Sequence, residues 1–455
     1  MTSGDDEILA ATGVFAREEQ MDSSVSEPDE GVPGQADLPA AALPAIDIVA
    51  AQATLAPLRP LPYHDEIVAL LRREEPEAWQ WACSVQTLAD RADEVRAMLL
   101  KQTYRLDATA HAALHASCER AAARLGVAAP ISLYQASEGG MNAALHYLPG
   151  EAHIVFSGPL LDRLQDAELE AVCGHELAHY LLWSGNEGRY LAADRLLAMA
   201  CAHPNACASL CETARLYALA TEIFADRGGA IGCAGLEPAV AALVKVQTGL
   251  AHVSAASYLV QADEICNSLD DRSDAASHPE LFIRARALRL WCEAGMDDAR
   301  VNAADDWLRA ALEGALRVDA LDMTAQVRLA ALTRRVIMRF LLPHPLRSET
   351  LLAHARRFFD DLVPDERPDA TLRDDIVAAP GTHDYVAALL LDFALADRSL
   401  EDVPFAAAID LSQSLGLPDA FERLALEALK MPKRQFAKAR NDAPALLARA
   451  LGAHA

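Results

Sequence analysis

The stretch Ala171-Val-Cys-Gly-His-Glu-Leu-Ala-His-Tyr180 decides the reading of this 455-residue chain. Within it, His175-Glu176-Leu177-Ala178-His179 forms an HExxH pattern inside an apolar run. Residues four apart on an α-helix stack on one face, so His175 and His179 can aim two imidazoles at one metal ion, with Glu176 beside them. Two neutral nitrogens suit Zn²⁺, and an adjacent carboxylate suits taking the proton from a zinc-activated water. Three fixed letters alone are equally satisfied by a helix with two packed or solvated histidines, so a third ligand has to be found. The helical context is good. Asp166 is expected to cap the start, with Glu168 and Glu170 in the first turn, where the helix dipole favours negative charge. Leu169, Val172, Cys173, Leu177, Tyr180 and Leu181 supply buried faces, and Gly185 is expected to end the helix.

Working outward, composition bounds the rest. The chain is 52% hydrophobic with only 5% aromatics, an Ala/Leu-rich balance that predicts a mainly helical protein. A formal charge of −26 and a pI near 4.9 argue against a nucleic-acid partner and against docking on anionic membrane. The cysteines number nine and sit mostly in apolar runs (Cys83, Cys118, Cys173, Cys266, Cys292), as reduced packing residues of a cytosolic protein do. Cys201, Cys207 and Cys211 cluster around His203. They lack the paired C-x₂-C of zinc modules, so packing is the expectation there too. Neither a secretory signal at Met1-Thr-Ser-Gly-Asp-Asp-Glu nor a membrane span is visible. The longest apolar run, around Val386 to Ala396, is broken by Asp392. The expected localisation is cytoplasmic.

Residues 1–58 are acidic, rich in Ala, Pro, Ser and Gly, and carry one basic residue, Arg17; they read as a disordered leader, with a weak helix over Ile46 to Leu55. From Tyr63 to Leu125 the pattern is helical (Ile67 to Leu71, Trp79 and Trp81, Leu88 through Leu100, Ala110 to Leu125), and Gly126 ends it. The period then changes. Pro130 to Gln135, Met141 to Tyr147 and Ala152 to Phe156 read as three short strands, with Gly139-Gly140 and Pro149-Gly150 as turns. A small sheet directly before a metal-binding helix resembles the gluzincin arrangement, whose edge strand can pair with an extended substrate.

Beyond Gly185, helices are expected near Tyr190 to Cys201 and from Ala208 to Ala230. The second carries Ala220-Thr-Glu-Ile-Phe-Ala-Asp226. Glu222 and Asp226 share a face: Glu222 can be the third zinc ligand, and Asp226 the carboxylate that orients a ligand imidazole. A surface glutamate is disfavoured because Ile223, Phe224 and Ala225 are apolar, and a buried helix with two acids needs a reason. Ala276-Ser-His-Pro-Glu-Leu-Phe-Ile-Arg284 opens a further helix with Pro279 in its first turn. His278 and Arg284 could reach the site; a helix-cap histidine and a surface arginine are the plainer alternative.

Together these residues carry a resemblance. From about Tyr63 to Gly295 the chain resembles the HtpX-like and CAAX-prenyl-protease family of zinc metallopeptidases. The matching pieces are Asn142-Ala143, Gly158-Pro-Leu-Leu161, Glu168 to Tyr180 with HExxH, Glu222-x-x-x-Asp226, and Ser277-His-Pro with Arg284 six residues after the histidine. The resemblance implies one Zn²⁺ per chain held by His175, His179 and Glu222, with Glu176 as general base and Asp226 supporting a ligand histidine. It also implies that His278 and Arg284 face the cleft in catalytic positions and that Asn142 and Ala143 bind substrate. The chain departs from much of that family in lacking transmembrane helices.

After Arg300 the sequence is helical, with breaks at Pro343-His-Pro345, Pro364, Pro380-Gly381 and Gly416-Leu-Pro418. Phe393 to Leu417 faintly resembles the TerB-like helical domain, but Pro404 stands near where that family carries an acid. A scaffold that docks a protein partner is therefore expected. The basic residues Lys430, Lys433, Arg434, Lys438 and Arg440 read as a solvated helix face. The expected fold is mainly α with a small β-sheet, a zincin-like α+β metallopeptidase domain over 59–299, followed by an all-helical C-terminal domain over 300–455. The expected function is a cytoplasmic zinc metalloendopeptidase acting on protein or peptide substrates. The alternative is a latent or non-catalytic chaperone-like binding module on the same fold.

Overall fold

The computed structural model describes residues 55–83, 92–268, 273–314, 316–318, 320–364 and 369–452. The leader up to residue 54, most of the weak helix expected at 46–55, and Leu88 lie outside the described residues. The chain divides into two units: residues up to Ala198 with Ala218–Leu308, and Met199–Tyr217 with Arg309 onward. It is mainly helical with one small sheet, as composition and periodicity predict.

Prolines open the first helices, α1 (Pro62–Glu74) and α2 (Pro76–Ala82), where a missing N–H costs nothing. Then come α3 (Ala92–Gln102), β1 (Thr103–Arg105) and α4 (Ala112–Leu125), which stops at Gly126 in the left-handed region, φ 73°. The sheet continues with β2 (Ile131–Ala136), β3 (Asn142–Leu148) and β4 (Glu151–Ser157), within a residue or two of the expected strands. The strand order is β1-β2-β4-β3. β1 pairs with β2 antiparallel, β2 with β4 parallel, and β3 with β4 antiparallel from Asn142↔Ser157 to Leu148↔Glu151. β3 is therefore an edge, with one row of backbone groups unpaired by the sheet. β1 was not expected: Thr103-Tyr-Arg105 is too short to show a period.

A short α5 (Leu160–Arg163) leads to α6 (Asp166–Ser184), the HExxH helix. Its cap is Gln165, not Asp166. The Gln165 backbone N–H donates to Glu168 Oε2 at 2.7 Å in a capping box, which leaves Asp166 as the first helical residue. Gly185 ends the helix as expected. α6 is buried on nearly all sides: Cys173 and Leu177 join Leu133, Ile154 and Phe156 of the sheet in one core. Glu170 is gripped by Arg120 and Arg124 of α4, at 2.6 and 2.5 Å.

There follow α7 (Arg189–Ala202), α8 (Ala208–Gly232), α9 (Leu236–Thr248), α10 (Ala255–Ser268), α11 (Leu281–Ala294) and α12 (Asp298–Glu313). α11 begins two residues after Pro279, with Glu280 at its N-cap, so His278 lies in the preceding loop rather than at the helix mouth. Cys118, Cys173, Cys233 and Cys292 are buried as packing residues, whereas Cys207 and Cys211 are exposed, contrary to expectation, because the first turn of α8 is uncovered.

The second unit is helical: α13 (Met323–Phe340), α14 (Glu349–Ala355), α15 (Leu372–Val377), α16 (His383–Ala396), α17 (Val403–Ser414), α18 (Pro418–Ala428) and α19 (Lys433–Gly452). Val336, Ile337, Phe340, Leu390, Phe393, Ile409 and Phe421 form its core. The expected breaks appear as tight turns at His344–Leu346 and Pro380–Thr382, and Pro418 opens α18. Lys433, Arg434, Lys438 and Arg440 are exposed on α19. Among the described residues no helix is long and apolar enough to cross a membrane.

Candidate metal centre

Two helices meet at a seam of glycines, and that seam sets the distance between the motifs they carry. A Cβ on Gly174 of α6 would stand 2.8 Å from the carbonyl oxygen of Gly228 of α8. One on Gly228 would stand 2.2 Å from Ala178 Cβ, and one on Gly232 would stand 2.8 Å from Gly174 Cα. Only hydrogen fits at these positions, so the two backbones pack in direct contact. The close approach lets the short side chain of Glu222, on the inner face of α8, reach the histidines of α6. The sequence reading passed over Gly174, Gly228 and Gly232, although a Gly-x-x-x-Gly spacing beside an acidic motif is a readable sign of close helix packing.

At the seam, three donor atoms converge. His175 Nε2 lies 3.3 Å from His179 Nε2 and 3.4 Å from Glu222 Oε2, and His179 Nε2 lies 3.7 Å from Glu222 Oε1. Nitrogen and oxygen ligands about 2.1 Å from a tetrahedral zinc stand roughly 3.4 Å apart. The spacing fits such an ion. The chemistry of the set also fits: two imidazoles and a carboxylate are borderline donors suited to zinc. Glu222 Oε2 is buried and accepts no hydrogen bond, and its nearest guanidinium nitrogen, Arg284 Nη2, stands off at 3.6 Å, which leaves the oxygen open to a closer cation. His175, His179 and Glu222 are the cluster among the described residues that could hold a metal ion.

The surroundings favour positive charge at this point. Burial would lower the basicity of His175, but the carboxylates of Asp226 and Glu222 outweigh it and push the imidazole up to about 10. Burial would raise Glu222, but His278, His175 and His179 hold it well below the usual carboxylate range. His179 is pushed down to about 4, chiefly by burial, and is a neutral ring. Glu176, next to His175 on α6, is pushed up to about 7 by burial, and its carboxylate accepts a hydrogen bond from the backbone of Leu145 on β3.

The other sequence candidates gather around the same point. Asp226 lies one turn beyond Glu222, with Oδ1 3.1 Å from His175 Nδ1. Arg284 of α11 clasps Asp226 through Nε at 2.8 Å and Nη2 at 2.7 Å, and its Nη2 is 3.6 Å from Glu222 Oε2. Its guanidinium lines the cleft, held there by both carboxylates. His278 Nε2 lies 3.4 Å from Glu222 Oε2, and its Nδ1 is 3.0 Å from Ser277 Oγ. Asn142 and Ala143 line a cleft of about 1450 Å³ that runs along β3 past His175, Glu176, His179 and Glu222. Sequence reasoning missed Trp183, whose ring stacks on His179 at 5.5 Å, and Asp194 of α7; both line the same cleft.

A helix-borne His-Glu-x-x-His, a third acidic ligand one helix away and an edge strand along the cleft together define a metallohydrolase type of site. Residues 108–292 match the model of peptidase family M48, which bears out the resemblance to the HtpX-like zinc metallopeptidases over that stretch. No curated protein and no solved structure matches the chain. The faint TerB-like resemblance of the C-terminal region has no support, since the family match ends at residue 292.

Proposed function

We propose that this chain is a zinc-dependent metalloendopeptidase acting on protein or peptide substrates. The observation that carries the reading is the 3.3–3.7 Å spacing of the donor atoms of His175, His179 and Glu222 beside Glu176 in an edge-strand cleft. His175, His179 and Glu222 would hold one zinc ion per chain. Bound there, zinc supplies Lewis-acid polarisation of a carbonyl and makes water acidic enough to ionise near neutrality.

The chain's own residues do the rest. Glu176, tuned by burial towards neutrality, accepts a proton from water and returns it to the leaving amine. The edge of β3 at Asn142 and Ala143 holds the substrate backbone in an extended form by strand addition. Asp226 fixes the His175 ring, and Arg284 fixes Asp226, so both act as positioning residues. A cytoplasmic setting belongs to the same reading, supported by the acidic composition and the scattered cysteines. So does the division into a leader over 1–58, a peptidase domain over 59–299 and a partner-docking helical domain over 300–455.

Replacing Glu176 by Gln keeps shape and metal ligands but removes the base. Peptide hydrolysis should fall by roughly 10²–10⁴-fold at equal zinc content. Equal turnover by both proteins would sink the assignment. The latent form of the same fold is favoured by one observation: His278 Nε2 stands from Glu222 at the same 3.4 Å as His175 does.

A further inference from the structure

The cleft carries more carboxylates than its chemistry uses. Glu222 and Asp226 are engaged by His175 and Arg284, and Glu280 Oε1 accepts the Asp274 backbone N–H at 3.1 Å. Glu138 is exposed to solvent. Asp194 differs from all of these. It lines the cleft from α7, is partly buried, and makes no hydrogen bond or ion pair with another described residue. Its neighbour Arg195 lies one position on, and adjacent helical residues do not face each other. Burial pushes the Asp194 carboxyl up to about 6, with Arg195 only partly offsetting it, so cleft water does not fully solvate the group. A partly desolvated carboxylate that forms no ion pair is costly, and a cleft is where a ligand can bring a closer counter-charge.

The neighbourhood says what kind of ligand. Trp183 lines the same cleft, stacked on the metal-site ring of His179, and its other neighbour is Tyr147, at 6.0 Å. Tyr147 is also within electrostatic range of Arg195 on α7. Ring contacts run from His179 through Trp183 to Tyr147, and the electrostatic range of Arg195 links Tyr147 to the helix that bears Asp194. An aromatic face and a carboxylate without an ion pair, lining one cleft, suit a long apolar stem with a cationic head.

We propose that Asp194, with Trp183, forms a substrate pocket next to the metal centre that selects an arginine or lysine side chain of the peptide. This rests on the peptidase reading of the cleft. Aliphatic selectivity would need an apolar wall where Asp194 stands, and acidic selectivity would need a cation on the cleft wall there, whereas Asp194 lines the cleft and Arg195 does not.

The test uses full-length protein and matched peptides carrying either arginine or its neutral isostere citrulline at one position within two residues of the cleaved bond. The wild type should favour arginine by about 10-fold or more in kcat/KM. Asp194→Asn should bring that ratio near one, and Asp194→Lys should turn the preference towards glutamate. The Kd values of the same peptides, measured on Glu176→Gln with and without Asp194→Asn, should show the same ratios without turnover. Hydrolysis with no arginine preference, or a preference that survives Asp194→Asn, overturns the pocket and leaves the peptidase standing. An Asp194-dependent binding preference without any hydrolysis does the reverse. Absence of both cleavage and binding overturns both. Zinc content and melting temperature check that the variants are folded; if Asp194→Lys is not, the Asn comparison decides alone.

Discussion

His175 Nδ1 stands 3.1 Å from Asp226 Oδ1, so one ring nitrogen of a candidate ligand is committed to a carboxylate one helical turn beyond the third ligand. A cation bound at the cluster would displace the proton from Nε2, and with the remaining proton held on Nδ1 by Asp226 the Nε2 lone pair points at the shared donor cluster. Arg284 closes the chain by taking both oxygens of Asp226, which fixes that carboxylate in turn. The four-residue spacing of Glu222 and Asp226 thus has a use: one acid meets Nε2 and the other Nδ1 of the same imidazole.

Asp226→Asn tests this arrangement. The variant cannot fix the tautomer and leaves Arg284 without its closest anion. Zinc affinity should fall roughly 10–100-fold. Competition against a chelator of known affinity reads it. An unchanged affinity would show that His175 needs no orienting partner.

The glycine seam predicts a stability effect at a distance from any ligand. Gly228→Ala would place a methyl 2.2 Å from Ala178 Cβ, and the two backbones must part to admit it. Overpacking of this kind costs about 1–3 kcal/mol. Because the histidines and Glu222 ride on the separating helices, zinc retention should fall together with the melting temperature. A variant that melts lower yet keeps full zinc would uncouple the seam from the site.

Much of this was legible in the sequence because it is written in spacing within single helices. His175 and His179, and Glu222 and Asp226, are each four apart, and four is a property of the helix itself. The strands at 131–157 showed through turn chemistry, Gly139 and Gly150 both holding positive φ. What was not legible depends on packing between elements. Asp166 looked like a cap, but Gln165 won because Glu168 closes a capping box on it and is then held by the buried Lys245 at 2.7 Å. β1 exists only because β2 pairs with it, and Asp194 declares itself only once α7 is folded against the cleft.

Protein purified without added metal should contain about one zinc per chain, since three ligands leave the open fourth position of a catalytic site. His175→Ala combined with Glu222→Ala should lose it. Stripping the metal from the wild type should also lower the melting temperature, because a ligand bound only by the folded state stabilises it by mass action. Zinc undiminished in the double variant, by elemental analysis, would place the metal elsewhere.

His64 gives the fold a pH dependence. It is fully buried, its Nδ1 accepts the Leu61 N–H at 3.1 Å, and its Nε2 lies 3.1 Å from Thr221 Oγ1, next to Glu222 in sequence. Burial, with Arg227 nearby, pushes it down to about 3 from an ordinary 6.5. The unfolded chain therefore takes up this proton first as pH falls. The stability that a neutral His64 allows is complete above about 6.5 and is lost progressively towards pH 3. The slope is about 1.4 kcal/mol per pH unit, or about 2 kcal/mol between pH 6.5 and 5. Denaturant unfolding across that range should show His64→Gln lacking this part of the decline. Parallel profiles for the two proteins would mean that His64 is already neutral, or equally protonated, in both states.

The last prediction concerns His278, whose two nitrogens leave two uses open. If Ser277 donates its hydroxyl to Nδ1 across 3.0 Å, Nε2 carries the proton and can donate to an anion forming in the cleft. If Nδ1 instead carries the proton and donates to Ser277 Oγ, the Nε2 lone pair faces the donor cluster and can occupy the fourth position itself. Burial lowers the basicity of His278, which favours the neutral ring and leaves either tautomer accessible. The 3.4 Å from Nε2 to Glu222 Oε2 matches the separation of two ligands on one ion, and the ring sits in a loop, not on a helix, where it can swing away. These two features favour the capping use. His278→Ala should then raise the rate on a generic unfolded substrate while zinc stays bound. The oxyanion use predicts the opposite, a fall of roughly 10²–10³-fold with zinc retained. A rate unchanged by the substitution, at equal zinc content, would remove His278 from both roles.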